Sequence, residues 1–214
     1  MTASDPHGDG PVMTAGVALA EARSVLILLH GRGGSAQDIL DLGMELGDAS
    51  TAYLAPQAAQ YTWYPNSFLA PLAQNEPWLS SAIEKVSACV GSAVAAGIKL
   101  ERIALAGFSQ GACLASEFVA SHPGRYGALV AFTGGLIGPM GMDLHHPGRL
   151  DGLPVLLSSG DPDHHVPWER VRSTAEVLTE MGATVQAVRY ANRPHTILRE
   201  EIEAAKALIT VALA

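Results

Sequence analysis

A chain of 214 residues, 48% of them hydrophobic, has enough apolar surface for one full core, and a second domain is not expected. Thirteen basic against 21 acidic residues give a net charge of −8, which excludes nucleic acid and anionic membrane as main partners because both would repel it. Two cysteines, Cys89 and Cys113, make no secreted disulfide framework, no apolar run reaches the length of a membrane span, and the first residues lack the basic cluster of a signal peptide; the expectation is free, reduced thiols in the cytoplasm.

Residues 1–11 are rich in Gly, Pro and Asp and read as a flexible tail, followed by a single domain over 12–214. Val12 to Ala20 suits an edge strand, turning in hairpin fashion near Glu21-Ala22 into Ser24 to Leu29, a continuous apolar run suited to a strand buried on both faces. His30-Gly31-Arg32-Gly33-Gly34 follows at once, and Ser35 then caps a helix from Ala36 to Leu46. Thr51 to Ala55 is a short strand stopped by Pro56. Between Pro56 and Pro77 the prolines and lack of period predict a long irregular connection. Five of the chain's aromatic residues, Tyr61, Trp63, Tyr64, Phe68 and Trp78, cluster from Tyr61 to Trp78.

A helix is expected from Leu79 or Ser80 to Ala96, with Ile83, Val86, Val90 and Val94 as its apolar stripe and Gly97 as its stop. Strands follow at Ile103 to Ala106, Ala128 to Phe132, Val155 to Ser159 and Thr184 to Tyr190. Helices alternate with them at Ala112 to Ser121, Pro167 to Met181 and Thr196 to Ala212, and a loop runs from Thr133 to Gly152. This alternation implies an α/β class with a mostly parallel sheet covered on both faces, whose ligands bind beyond the carboxyl ends of the strands.

Gly107-Phe108-Ser109-Gln110-Gly111 lies at one such end, between a strand and a helix, which is the setting that gives G-x-S-x-G its meaning. The glycines let the turn close and leave Ser109 exposed at its tip. Gln110 begins the helix, so its backbone N–H is unpaired and available to an oxyanion. A serine hydroxyl is a weak nucleophile until a base, itself oriented by a third group, takes its proton. Downstream, Gly160 to Pro167 supplies an acid and Arg193-Pro194-His195-Thr196-Ile197 supplies the base, in the order Ser, Asp, His.

Leu29 to Gly34, Gly107 to Gly111, the Gly-x-x-Asp-x-x-Val-Pro run from Gly160 to Pro167 and the Pro194-His195-x-Ile segment together resemble the phospholipase/carboxylesterase family of α/β-hydrolases, relatives of acyl-protein thioesterases and dienelactone hydrolases. The resemblance runs from about residue 24 to near the end of the chain. It implies the α/β-hydrolase fold and a serine hydrolase with Ser109 as nucleophile, His195 as base and Asp163 as the orienting acid. It also implies an oxyanion hole made by the backbone N–H groups of Arg32 and Gln110. Where the family has Gly before its histidine, this chain has Pro194. The cysteine that dienelactone hydrolases carry at the elbow is here a serine.

The implied reaction is hydrolysis of small to medium carboxylic esters through an acyl-enzyme. The alternatives are lysophospholipase or acyl-protein thioesterase activity, or a non-catalytic ligand sensor on the same scaffold. Trp63, Tyr64, Phe68 and Trp78 form one expected pocket wall, with plain core capping as the other reading. Leu136 and Ile137 form the opposite wall or pack. The Arg32 guanidinium would meet either a surface carboxylate or an anionic substrate group near the cleft. Asp161, Asp163, His164 and His165, with His145 and His146, are set aside as metal ligands because side chains of adjacent histidines diverge. No metal or cofactor is expected, the partner is a small-molecule ester, and a homodimer stays open.

Overall fold

Period-two alternation in the strand Ser24–Leu29 decides where the helices must go. Val25, Ile27 and Leu29 belong to one apolar cluster, whereas Leu26 and Leu28 belong to another on the opposite side, so both faces need cover. The computed structural model describes residues 5–214. Its strands are β1 (Val12–Gly16), β2 (Ser24–Leu29), β3 (Thr51–Pro56), β4 (Ile103–Phe108), β5 (Ala128–Phe132), β6 (Pro154–Asp161) and β7 (Thr184–Ala191). They form a seven-stranded sheet in the order β1-β3-β2-β4-β5-β6-β7, parallel apart from β1.

Helices α1 (Ala36–Gly43) and α5 (Arg199–Ala212) cover the face of Leu26 and Leu28. Helices α2 (Trp78–Ala95), α3 (Gln110–Ser121) and α4 (Trp168–Glu180) cover the other. Helix α1 begins in a capping box: Ser35 Oγ accepts from the Asp38 N–H while the Asp38 carboxylate accepts from the Ser35 N–H at 2.9 Å. Helix α2 is stopped at Gly97, whose φ of +93° suits glycine, with the Ile98 N–H returning to the Ala93 carbonyl at 3.1 Å. Among the described residues no helix is long and apolar enough to cross a membrane.

Four readings of the sequence change. The edge strand pairs antiparallel with β3, Val12 opposite Pro56 and Gly16 opposite Ala52, and makes no hairpin with β2 because β3 and β4 already occupy both edges of β2. The buried face of α2 is Leu79, Ala82, Val86, Cys89 and Ala93, while Val94 is 49% exposed: small side chains let the helix sit close to the sheet. Helix α5 starts at Arg199, not Thr196, because residues 193–198 are drawn into a turn around the Arg193 side chain. Residues 1–4 of the expected tail lie outside the described residues. The rest of that segment is fastened down: His7 is fully buried, donating through Nε2 to the Trp63 carbonyl at 2.9 Å and accepting the Ala59 N–H on Nδ1 at 3.1 Å. Asp5 meets the Ser81 hydroxyl, and Lys85 reaches the carbonyls of Gly8 and Gly10.

Candidate active site

Residues following the carboxyl ends of β2, β4, β6 and β7 meet at one edge of the sheet, as the alternation predicts for a parallel sheet. At the end of β4 the chain makes a turn so tight that Ser109 takes φ +54° and ψ −117°, a conformation costly for a residue with a Cβ. Backbone contacts enforce it. A Cβ on Gly111 would lie 2.1 Å from the Leu29 carbonyl oxygen, and one on Gly107 would lie 2.5 Å from the Gly111 backbone. The Ser109 N–H donates to Phe132 O at 2.9 Å, which fixes the elbow to β5.

The structure brings Ser109, His195 and Asp163 together. Ser109 Oγ lies 2.9 Å from His195 Nε2, and His195 Nδ1 lies 2.8 Å from Asp163 Oδ2. A carboxylate only accepts, so Nδ1 carries the proton and Nε2 presents a lone pair to the serine hydroxyl. The other carboxylate oxygen accepts the backbone N–H groups of His165 at 2.8 Å and Val166 at 2.9 Å. Burial pushes the Asp163 carboxyl upward, but these backbone bonds and the imidazole outweigh it and the group lies below its ordinary range. Pro194 before the histidine is accommodated in a short turn, the Thr196 N–H donating to Pro194 O at 2.8 Å.

Beneath that turn is a buried network that sequence reasoning missed. Arg193 donates to Thr133 Oγ1 at 2.7 Å and to the Thr196 carbonyl, and its Nε lies 3.5 Å from Glu201, which is wholly buried. Glu201 in turn accepts from the Ser158 hydroxyl at 2.5 Å and the Leu198 N–H at 2.8 Å. In the sequence Glu201 is indistinguishable from any acid in the first turn of a helix.

Gln110 opens α3, so its N–H has no acceptor within the helix. Across from it, Gly33 and Gly34 give their N–H groups to Tyr61 O and Gly31 O, while that of Arg32 has no acceptor among the described residues. The Gln110 side chain also clamps the aromatic loop to the elbow, its amide oxygen accepting the Trp63 N–H at 2.9 Å and its amide nitrogen donating to Tyr64 O at 2.8 Å. His30 braces the same loops, with Nδ1 donating to Gly31 O at 2.8 Å and Nε2 accepting the Ala58 N–H at 3.1 Å. Burial lowers its pKa.

A cavity of about 410 Å³ opens over Ser109 and His195. Of the expected wall residues only Tyr64 and Phe68 line it, with Arg32, Cys113, His165 and Val166. Trp63 is fully buried, its indole N–H held by His30 O at 2.8 Å, and Trp78 packs on the core against the His7 ring. Leu136 and Ile137 are core residues, the Leu136 backbone being taken by Thr174 and Arg170. Hydrogen bonds account for three of them: His30 and Gln110 hold Trp63, Thr174 and Arg170 hold Leu136, and Glu117 accepts the Ile137 N–H, while Trp78 opens α2 on its core side. Cys113 forms part of the cavity floor, where burial pushes its thiol up to about 12. Among the described residues the Arg32 guanidinium meets no carboxylate; it donates to Pro65 O at 2.9 Å and Asn66 O at 2.6 Å on the cavity rim.

A family model described as Phospholipase/Carboxylesterase matches residues 17–213. The chain is 27% identical over 202 residues to a probable carboxylesterase, SOBER1-like, of Arabidopsis thaliana, covering 85% of this chain and 76% of that one. It is 29% identical over 115 residues to acyl-protein thioesterase 1 of Gibberella zeae, covering 53% and 49% of the two chains. A crystal structure of a phospholipase/carboxylesterase from Dyadobacter fermentans superposes with a TM-score of 0.92 at 42% identity, over 98% of this chain and all of that one.

Proposed function

Since the chain belongs to the phospholipase/carboxylesterase family, with the α/β-hydrolase fold and carboxylesterase function of its relatives, we propose that it hydrolyses small to medium carboxylic esters by way of Ser109, His195 and Asp163. The observation that carries the reading is the unbroken run of hydrogen bonds from the Ser109 hydroxyl through both nitrogens of His195 to the buried Asp163 carboxylate. Ser109 Oγ attacks the ester carbonyl as its proton passes to His195 Nε2. The N–H groups of Arg32 and Gln110 receive the oxyanion, each worth roughly 3 kcal/mol of barrier by analogy with measured oxyanion sites. Collapse expels the alcohol, which takes the proton from His195. Water then repeats the sequence on the acyl-serine, releasing the acid and restoring the hydroxyl.

Thioester cleavage is the second reading. What favours it is the acyl-protein thioesterase relative, whose leaving thiolate needs less help from the imidazole than an alkoxide does. The partner is a small-molecule ester, with neither nucleic acid nor a cofactor, and free buried thiols in an acidic chain suit the cytoplasm. Light scattering on a sizing column decides between a monomer and a homodimer. For the catalytic assignment the test is active-site titration with a fluorophosphonate. One equivalent should label Ser109 and abolish hydrolysis of p-nitrophenyl esters, and a panel of acyl lengths then gives the chain preference. An unlabelled serine in folded protein would instead make the chain a ligand sensor.

A further inference from the structure

In a chain carrying 21 acidic and 13 basic residues, the lining of the cavity over Ser109 holds Arg32 as its charged side chain, beside His165 and His195 as polar rings, and neither an Asp nor a Glu. Nearby carboxylates are already engaged. Asp163 lies behind His195 with its oxygens taken by the imidazole and two backbone N–H groups, and Asp38 is occupied by Ser35. The Arg32 guanidinium is unpaired by any acid among the described residues. The carbonyls of Pro65 and Asn66 each take one N–H from its two terminal nitrogens at the rim, and Arg32 itself lines the cavity. On the other side stands the His165 ring, 4.7 Å from that of His195 and edge-on to it. Beneath both opens the N-terminus of α3, whose dipole favours negative charge.

Resting on the esterase reading above, we infer that this site selects esters bearing a carboxylate a few atoms from the scissile carbonyl, with Arg32 as the specificity-determining side chain and His165 as a second donor. Geometry gives the reason for the short spacer. Where the backbone N–H of Arg32 receives the carbonyl oxygen, its own side chain reaches only the adjoining rim, so the anion and the reacting carbon must be close together in the substrate. A planar fork also matches a carboxylate bidentately, which an ammonium in its place would not.

Monomethyl glutarate and methyl pentanoate differ mainly by that terminal charge and are compared by pH-stat in wild type, Arg32→Gln and Arg32→Lys. The expected result is a kcat/KM ratio favouring the hemiester in wild type that falls about tenfold in Arg32→Gln and less in Arg32→Lys, as for loss of one charge-assisted pair. Taking the ratio cancels any general effect of loosening the Pro65 and Asn66 contacts. Free glutarate should inhibit wild type competitively, with added KCl relieving the inhibition. A ratio untouched by Arg32→Gln, or no inhibition of wild type by glutarate, overturns the inference while leaving the esterase intact. Failure of wild type to hydrolyse methyl pentanoate, with no fluorophosphonate labelling, would remove the underlying reading as well.

Discussion

A carboxylate that accepts hydrogen bonds from an imidazole and from two backbone N–H groups is held in one orientation and one charge state. Asp163 is in that position, and the net downward displacement of its carboxyl keeps it ionised throughout the pH range in which an imidazole serves as base. Replacing it by asparagine keeps the shape but offers His195 a donor or a weaker acceptor, and so favours the tautomer with its proton facing Ser109. Asp163→Asn is therefore expected to lower kcat by about 10⁴-fold with a small change in KM, measured by steady-state kinetics on a p-nitrophenyl ester. Labelling of Ser109 by fluorophosphonate should slow in parallel, since it depends on the same proton transfer. The motif around Ser109 carried this much from sequence alone, because a sharp turn between strand and helix leaves few places for a hydroxyl to point.

The elements around the site are joined by side chains whose roles the sequence hides. Gln110 belongs to α3, yet its amide holds the loop that carries Tyr64 into the cavity. Gln110→Ala keeps the backbone N–H and removes the clamp, so it should cost about 2 kcal/mol in urea denaturation, raise KM more than it lowers kcat, and speed amide exchange at Trp63. Arg193 and Glu201 tie the turn before α5 to β5 and β6 through Thr133 and Ser158. Arg193→Met leaves Glu201 buried without its counter-ion and is expected to destabilise the protein by about 3–5 kcal/mol, read from the same urea curves. Strand and helix positions were legible because alternation and helical period are local properties. Partner choice was not: β1 passes over β2 and α1 in the chain to find β3, and the inward turn of Trp63, Leu136 and Ile137 goes with hydrogen bonds to His30, to Thr174 and Arg170, and to Glu117 respectively that no local pattern announces.

Over the whole molecule, stability should depend on pH through two buried histidines. His7 and His30 each use one ring nitrogen as donor and the other as acceptor of a backbone N–H, so protonation sets two donors face to face. Burial accordingly lowers both below their ordinary value of 6.5. The unfolded chain then binds protons that the folded one refuses, and stability falls as pH drops from about 6.5 toward the folded values. His146, raised by its hydrogen bond to Glu117, works in the opposite sense, and its contribution is lost as pH rises. Urea midpoints at pH 7.5 and 5.5 should show the net fall, and His30→Gln should flatten it. His7 also fastens the beginning of the chain between the indoles of Trp63 and Trp78, one step along the backbone from the cavity wall at Tyr64. Deleting residues 1–10 is thus expected to lower the melting temperature and raise KM, although none of the described residues 5–10 lines the cavity. The practical corollary concerns handling: a purification tag belongs at the far terminus, and a nick by a contaminating protease near the start would register in an assay as a poorer enzyme rather than as a shorter one.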